Sequence, residues 1–106
     1  MADEERRFVE LHPRSAELAA SGRRHLLVGV PMSWMTRWPG GFPVHVAEAD
    51  GGRFVDVDGI EYVDFCLGDT GAMTGHGTVG LAALAGRSTT MLPSEDAAWV
   101  ADELHR

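Results

Sequence analysis

The chain has no lysine: all nine basic residues among its 106 are arginine. Chemistry that needs a side-chain amine, above all a Schiff base to a carbonyl cofactor, has no residue here to carry it. Cysteine is nearly absent too. Cys66 stands alone, so no internal disulfide can form and an oxidising compartment gains no support. It lies in an apolar run and reads as a small core residue, with a nucleophile as the alternative. No stretch approaches the ~18 apolar residues of a membrane helix. Met1 to Arg7 is acidic then basic with no apolar run after it, which is not a signal peptide, so the cytoplasm is the expected location. Positive charge is scarce as well. The net charge of -7 argues against a nucleic-acid or anionic-membrane partner, since either would need a basic patch.

What is present suits one small domain. The 44% hydrophobic and 24% charged content is ordinary for a globular chain. At this length roughly 65% of the unfolded surface can be buried, which leaves a core of small margin. The expected architecture is α+β: N-terminal helices, a three-stranded antiparallel meander, then short helices.

Residues 4–20 read as helix in two pieces, with Pro13 at the start of the second and Gly22 at its end. A short apolar run from His25 to Val30 is closed by Pro31. Residues 31–43 then hold three prolines and two glycines, which argue against regular structure across the segment. They also hold Trp34, Trp38, Met32, Met35 and Phe42, and a loop so rich in large apolar groups has to bury them against something. Strands are expected over 44–49, 53–57 and 60–67, joined by turns at Gly51-Gly52 and Asp58-Gly59. Both faces of the third strand carry apolar groups, so the meander should pack on both sides. A glycine-rich loop follows over 68–77. Residues 78–85 suit a short helix. Ser94 is placed to cap a last helix, with Ala97, Val100, Ala101 and Leu104 at helical spacing. No glycine or proline ends that helix, so truncation and a natural C-terminal helix are both open.

Asp56-Val57-Asp58-Gly59-Ile60-Glu61 lacks the ligand spacing of a calcium loop, because Phe54 and Phe65 stand where acids are required. The histidines at 12, 25, 45, 76 and 105 show no metal-ligand spacing. No metal site is expected. Asp69 and Thr70 lie in Gly68-Asp69-Thr70-Gly71, a loop that either merely follows the strand or faces a substrate. His76, between Gly75 and Gly77, is either a hydrogen-bonded turn histidine or a site residue.

Several blocks in order resemble class III pyridoxal-phosphate aminotransferases, in the branch labelled glutamate-1-semialdehyde aminomutase-like. They are Ala49, Gly51 or Gly52, Asp56-Val57-Asp58-Gly59, Tyr62, Asp64, the run Phe65 to His76 ending in Gly75-His76, and Thr89 to Asp96. The likeness runs from Gly29 to Arg106. It implies part of a fold type I pyridoxal-phosphate transferase: a helical segment over 1–28, a small-domain loop and meander over 29–67, and the start of the large domain over 68–106. It further implies that Ser33 and Arg37 lie near a substrate carboxylate, and that Asp69, Thr70 and His76 line the site, often at a dimer interface. The family's cofactor is pyridoxal 5'-phosphate. Its phosphate-binding block, its pyridine-nitrogen aspartate and its Schiff-base lysine fall beyond the matching region, so no catalytic or cofactor-binding residue is assigned here. Gly77 also replaces a proline usual after the histidine, and the helix before Thr89 is shortened. The implied activity is amino transfer, or 1,2-amino exchange, on an amino-aldehyde or keto acid. This chain would be an N-terminal piece or truncated relative of such an enzyme, working with the remainder or a second subunit. The alternative is a stand-alone α+β module that binds a protein partner.

Overall fold

The computed structural model describes residues 1–37, 39–68, 72, 75–77 and 93–105. Two helices open the chain, α1 (Ala2–Leu11) and α2 (Pro13–Gly22), and they meet at His12. Pro13 takes the first position of α2, where its missing N–H costs nothing. Gly22 ends the helix for a packing reason. A Cβ there would lie 2.5 Å from the Gly29 carbonyl oxygen, so only glycine lets the returning chain pass. That return uses a left-handed Val28 (φ 54) and Gly29 (φ 82).

The segment rich in Trp and Met is less irregular than its prolines suggest. A 3-10 turn fits between them at Ser33–Arg37. Met35 points inward at 4% exposure, whereas Met32 stays half exposed. Trp34 and Phe42 are half-buried, and Phe42 packs on Phe8 of α1 with ring centroids 5.0 Å apart. Trp38 lies outside the described residues.

The meander forms as expected, with shorter strands. β1 (Val46–Asp50), β2 (Arg53–Asp56) and β3 (Glu61–Val63) are antiparallel in the order β1-β2-β3. Gly51-Gly52 is a two-residue turn between the paired Asp50 and Arg53. The second turn is wider than a two-residue hairpin. The Gly59 amide donates to the Asp56 carbonyl and the Asp56 amide to the Ile60 carbonyl, each at 3.0 Å. Three residues, Val57 to Gly59, therefore form the loop, with Gly59 left-handed at φ 84. β3 stops at Val63 rather than reaching Leu67, because Asp64 turns its own side chain onto the amides of Cys66 and Leu67.

That early stop overturns two expectations. Cys66 is exposed rather than a core residue. The third strand is not packed on both faces: Phe65 is 95% exposed and Val63 51%. Helix α3 (Asp96–Leu104) forms, but Ser94 does not cap it. The Ser94 hydroxyl donates to the Asp96 carboxylate instead, at 3.2 Å. The C-terminal segment joins the sheet where the Val46 amide donates to the Pro93 carbonyl, 3.0 Å. The helix expected over 78–85 lies outside the described residues. Among the described residues, no helix is long and apolar enough to cross a membrane.

Candidate functional site

Ser33 and Arg37 are displayed by one small turn. The Thr36 hydroxyl donates to the Ser33 carbonyl (2.8 Å) and the Met35 amide to the Met32 carbonyl (2.9 Å), while buried Met35 anchors the turn from beneath. With three residues per turn, Ser33 and Thr36 stack and Arg37 follows. All three are exposed, and Arg37 makes no ion pair with a described residue. A planar guanidinium matches a carboxylate with two parallel hydrogen bonds.

His76 sits elsewhere, on the first turn of the meander. It forms a two-bond backbone bridge with Gly51: His76 amide to Gly51 carbonyl at 2.7 Å, and Gly51 amide to His76 carbonyl at 3.0 Å. Gly75 makes that approach possible. It is left-handed (φ 97), and a Cβ on it would come within 3.1 Å of the Gly51 backbone.

The His76 ring turns inward, with a fully buried side chain. Its Nε2 lies 2.7 Å from Asp64 Oδ2. Burial works against the Asp64 charge, but the hydrogen bonds from His76 and from the Leu67 and Cys66 amides outweigh it and hold the carboxyl below its usual value. An ionised carboxylate only accepts, so Nε2 carries the hydrogen of this bond. Nδ1 is buried and has no hydrogen-bond partner among the described residues. In this chain the ring pins the 75–77 segment to the meander. Asp69 and Thr70 lie outside the described residues. Among the described residues, no hydrogen bond or ion pair joins the Ser33–Arg37 turn to His76.

A third cluster had no signal in the spacing. Asp56 and Asp58 of the second turn reach back to the N-terminal helices. Asp58 accepts the amides of Arg14 (2.7 Å) and Ser15 (3.0 Å). Asp56 accepts those of Asp58 (2.9 Å) and Ile60 (2.8 Å), and the Tyr62 hydroxyl at 3.1 Å. Ser15 is fully buried, and its hydroxyl oxygen accepts the His45 amide at 3.1 Å. The acidic turn is therefore a clasp between helices and sheet. The Asp64–His76 pair, twelve residues apart, was equally hidden. Its trace in the sequence is the presence of both residues in the same resembling blocks.

No family model and no curated protein matches the chain. Solved structures do. A glutamate-1-semialdehyde aminomutase from Pseudomonas aeruginosa PAO1 is 52% identical, covers 99% of this chain and superposes with a TM-score of 0.71. A variant of that aminomutase in complex with PMP is 51% identical with the same TM-score and the same 99% of this chain covered. A β-phenylalanine aminotransferase from Variovorax paradoxus is 28% identical over 77% of this chain, with a TM-score of 0.68. The chain spans about a quarter of the length of the aminomutase, 24%, and 19% of the aminotransferase.

The cofactor of this family is held through a lysine and set by an aspartate at its ring nitrogen. The donor set here does not fit that group, because the sequence contains no lysine. Covalent attachment therefore has no residue in this chain, and none of its side chains is assigned a step on the cofactor. What the chain does share with the aminomutase is 52% identity over 99% of its own length, a level that settles the relationship. The chain belongs to the class III pyridoxal-phosphate-dependent aminotransferase family.

Proposed function

We propose that this chain is the substrate-facing front part of a pyridoxal-phosphate enzyme that transfers an amino group, or exchanges it between neighbouring carbons, on an amino-aldehyde or keto acid. The observation that carries the reading is 52% identity over 99% of a chain that has no lysine. Residues 1–28 form a helical support, 29–67 a small-domain loop and meander, and 68–106 the entry to a large domain.

Ser33 and Arg37 bind the substrate carboxylate, as their exposure on one anchored turn allows. Asp69 and Thr70 line the site. His76 lines it too, and its bond to Asp64 holds the 75–77 segment on the meander. The lysine-bearing remainder of the enzyme is supplied outside these 106 residues, in a dimeric cytoplasmic assembly. Exposed Phe65, Trp99 and Leu104 offer the surface for it.

Mixing tests this. The purified chain is combined with the P. aeruginosa aminomutase lacking its matching quarter. Amino exchange should appear in the mixture and in neither part alone, and Arg37→Ala should raise KM for a carboxylate substrate more than it lowers kcat. A mixture in which the parts bind but no exchange appears would replace this reading with the other one, a non-enzymatic α+β module that docks on a protein partner.

A further inference from the structure

Arg23 caps the C-terminal end of α2 and lines a pocket beside the Ser33–Arg37 turn. The pocket holds about 400 Å³, within the range of small-ligand sites. Its walls come from three parts of the chain. Ala19 and Arg23 belong to α2 and its end, Val28 to the return turn, and Thr36, Phe42 and Pro43 to the segment beyond.

Two features separate this pocket from an ordinary surface hollow. The first is its charge. The chain carries 16 acidic residues against nine basic ones, yet among the described residues on these walls Arg23 alone is charged. Arg6, Arg14 and Arg53 each pair with an acid, at 2.8, 3.1 and 2.7 Å, while no ion pair among the described residues uses Arg23. The fold also makes room for this side chain. Gly29 is left-handed, and a Cβ on it would lie 3.0 Å from Arg23 Cγ. The Arg23 stem thus lies over bare backbone, a seat that a side chain at position 29 would crowd.

The second feature is strain. Val28 lines the pocket with φ 54, a left-handed position that a β-branched residue adopts only at a cost. The Gly29 amide donates to the Leu26 carbonyl at 3.0 Å across this turn. Val28 stays 49% exposed, so core burial does little to offset the strain. The strained turn and the seated arginine share one pocket.

We propose that this pocket binds a small organic acid, with Arg23 taking the carboxylate and the hydrocarbon part lying on Val28 and Phe42. A guanidinium meets a carboxylate through two parallel hydrogen bonds. The Thr36 hydroxyl hydrogen is already given to the Ser33 carbonyl, at 2.8 Å, so recognition of the charge rests on Arg23. A protein partner fits the pocket less well. The large exposed side chains that would anchor one, Phe65, Trp99 and Leu104, do not line it. Ser33 and Arg37 do not line it either, so the proposal stands whether or not their turn takes a substrate.

The probe is sodium hexanoate, titrated into the full chain at pH 7. It should shift the amide signals of Val28, Thr36 and Gly41 until they saturate. Saturation transfer from the chain to hexanoate reads the same binding whatever size the chain's assemblies have. Hexanamide keeps the carbon chain without the charge, and acetate keeps the charge with almost no carbon chain. Each should bind at least about tenfold more weakly than hexanoate. Arg23→Gln should weaken hexanoate binding by about tenfold or more. Arg24→Gln removes the same charge from the next residue, which bonds Ser21 and does not line the pocket, and it should leave the affinity unchanged. Both arginines are exposed, and the amide spectrum of each variant reports that it folds. The absence of saturable binding overturns the proposal. So does binding that Arg23→Gln leaves unchanged, or that both variants weaken alike.

Discussion

Asp58 caps a helix that lies forty-four residues before it in the chain. Its carboxylate takes the amides of Arg14 and Ser15, two of the unsatisfied donors at the start of α2. Helix α2 has no capping side chain of its own, and the residue before it is His12. The turn of the sheet therefore supplies what the helix lacks, and one contact fixes both elements.

Asp58→Ala should destabilise the chain by about 1 kcal/mol, the usual worth of such a cap. Burial raises the Asp58 value, but the Arg14 and Ser15 amides outweigh it, so the folded group lies below its ordinary value. Its contribution is then present above the unfolded value of about 3.9 and is lost as pH falls through the folded one. Urea unfolding of both forms at pH 7 and below pH 3 should show the gap closing in acid.

His45 carries the opposite protonation preference. Burial lowers its value, against the Pro43 carbonyl and the charges of Asp58 and Glu95, which act to raise it. The folded group is thus neutral where the unfolded one begins to charge. Its share of stability is intact above about pH 6.5 and declines as pH falls below that. The urea midpoint of the native chain should drop between pH 7.5 and 5.5, and His45→Gln should show a smaller drop over the same interval.

Two glycines separate conformational strain from collision. Gly59 is left-handed with open space where a Cβ would sit. Gly59→Val should cost more than ~1 kcal/mol through backbone strain alone. Gly75 is left-handed too, but its Cβ would press on Gly51. Gly75→Val should therefore cost more than Gly59→Val, and should also break the Gly51–His76 bridge. Thermal melts rank the two, and loss of His76 amide protection reports the bridge.

Borohydride reduction of the chain with pyridoxal phosphate should give no stoichiometric adduct on an internal residue, since no side-chain amine exists. Peptide mass spectrometry checks this. A single internal adduct would contradict the chemistry argued from the missing lysine.

Phe65 (95% exposed), Leu104 (84%) and Trp99 (65%) present large apolar surface that monomers seldom leave open. Sedimentation at micromolar concentration should show self-association. Phe65→Ser combined with Leu104→Ser should reduce it.

The sequence determined what depends on near neighbours. Pro13 opened a second helix, Gly51-Gly52 made a two-residue turn, and Gly59 took the left-handed position of the next one. The order of motif blocks pointed to the family, and the missing lysine ruled out covalent hold of its cofactor. Helical and strand periods, and turn chemistry, act over a few residues, so they can be read along a chain.

Only the tertiary structure decided which acceptors meet which donors. Asp64 could have continued a strand; it turned to the Cys66 and Leu67 amides and to His76, and so left Phe65 and Cys66 in solvent. Asp58 could have capped its own turn; it capped α2. His12, Tyr62 and Asp56 carry no shared motif, yet they close on one another across fifty residues. A carboxylate or an imidazole bonds whatever the closed chain brings within about 3 Å, and that distance is fixed by packing rather than by spacing in the sequence.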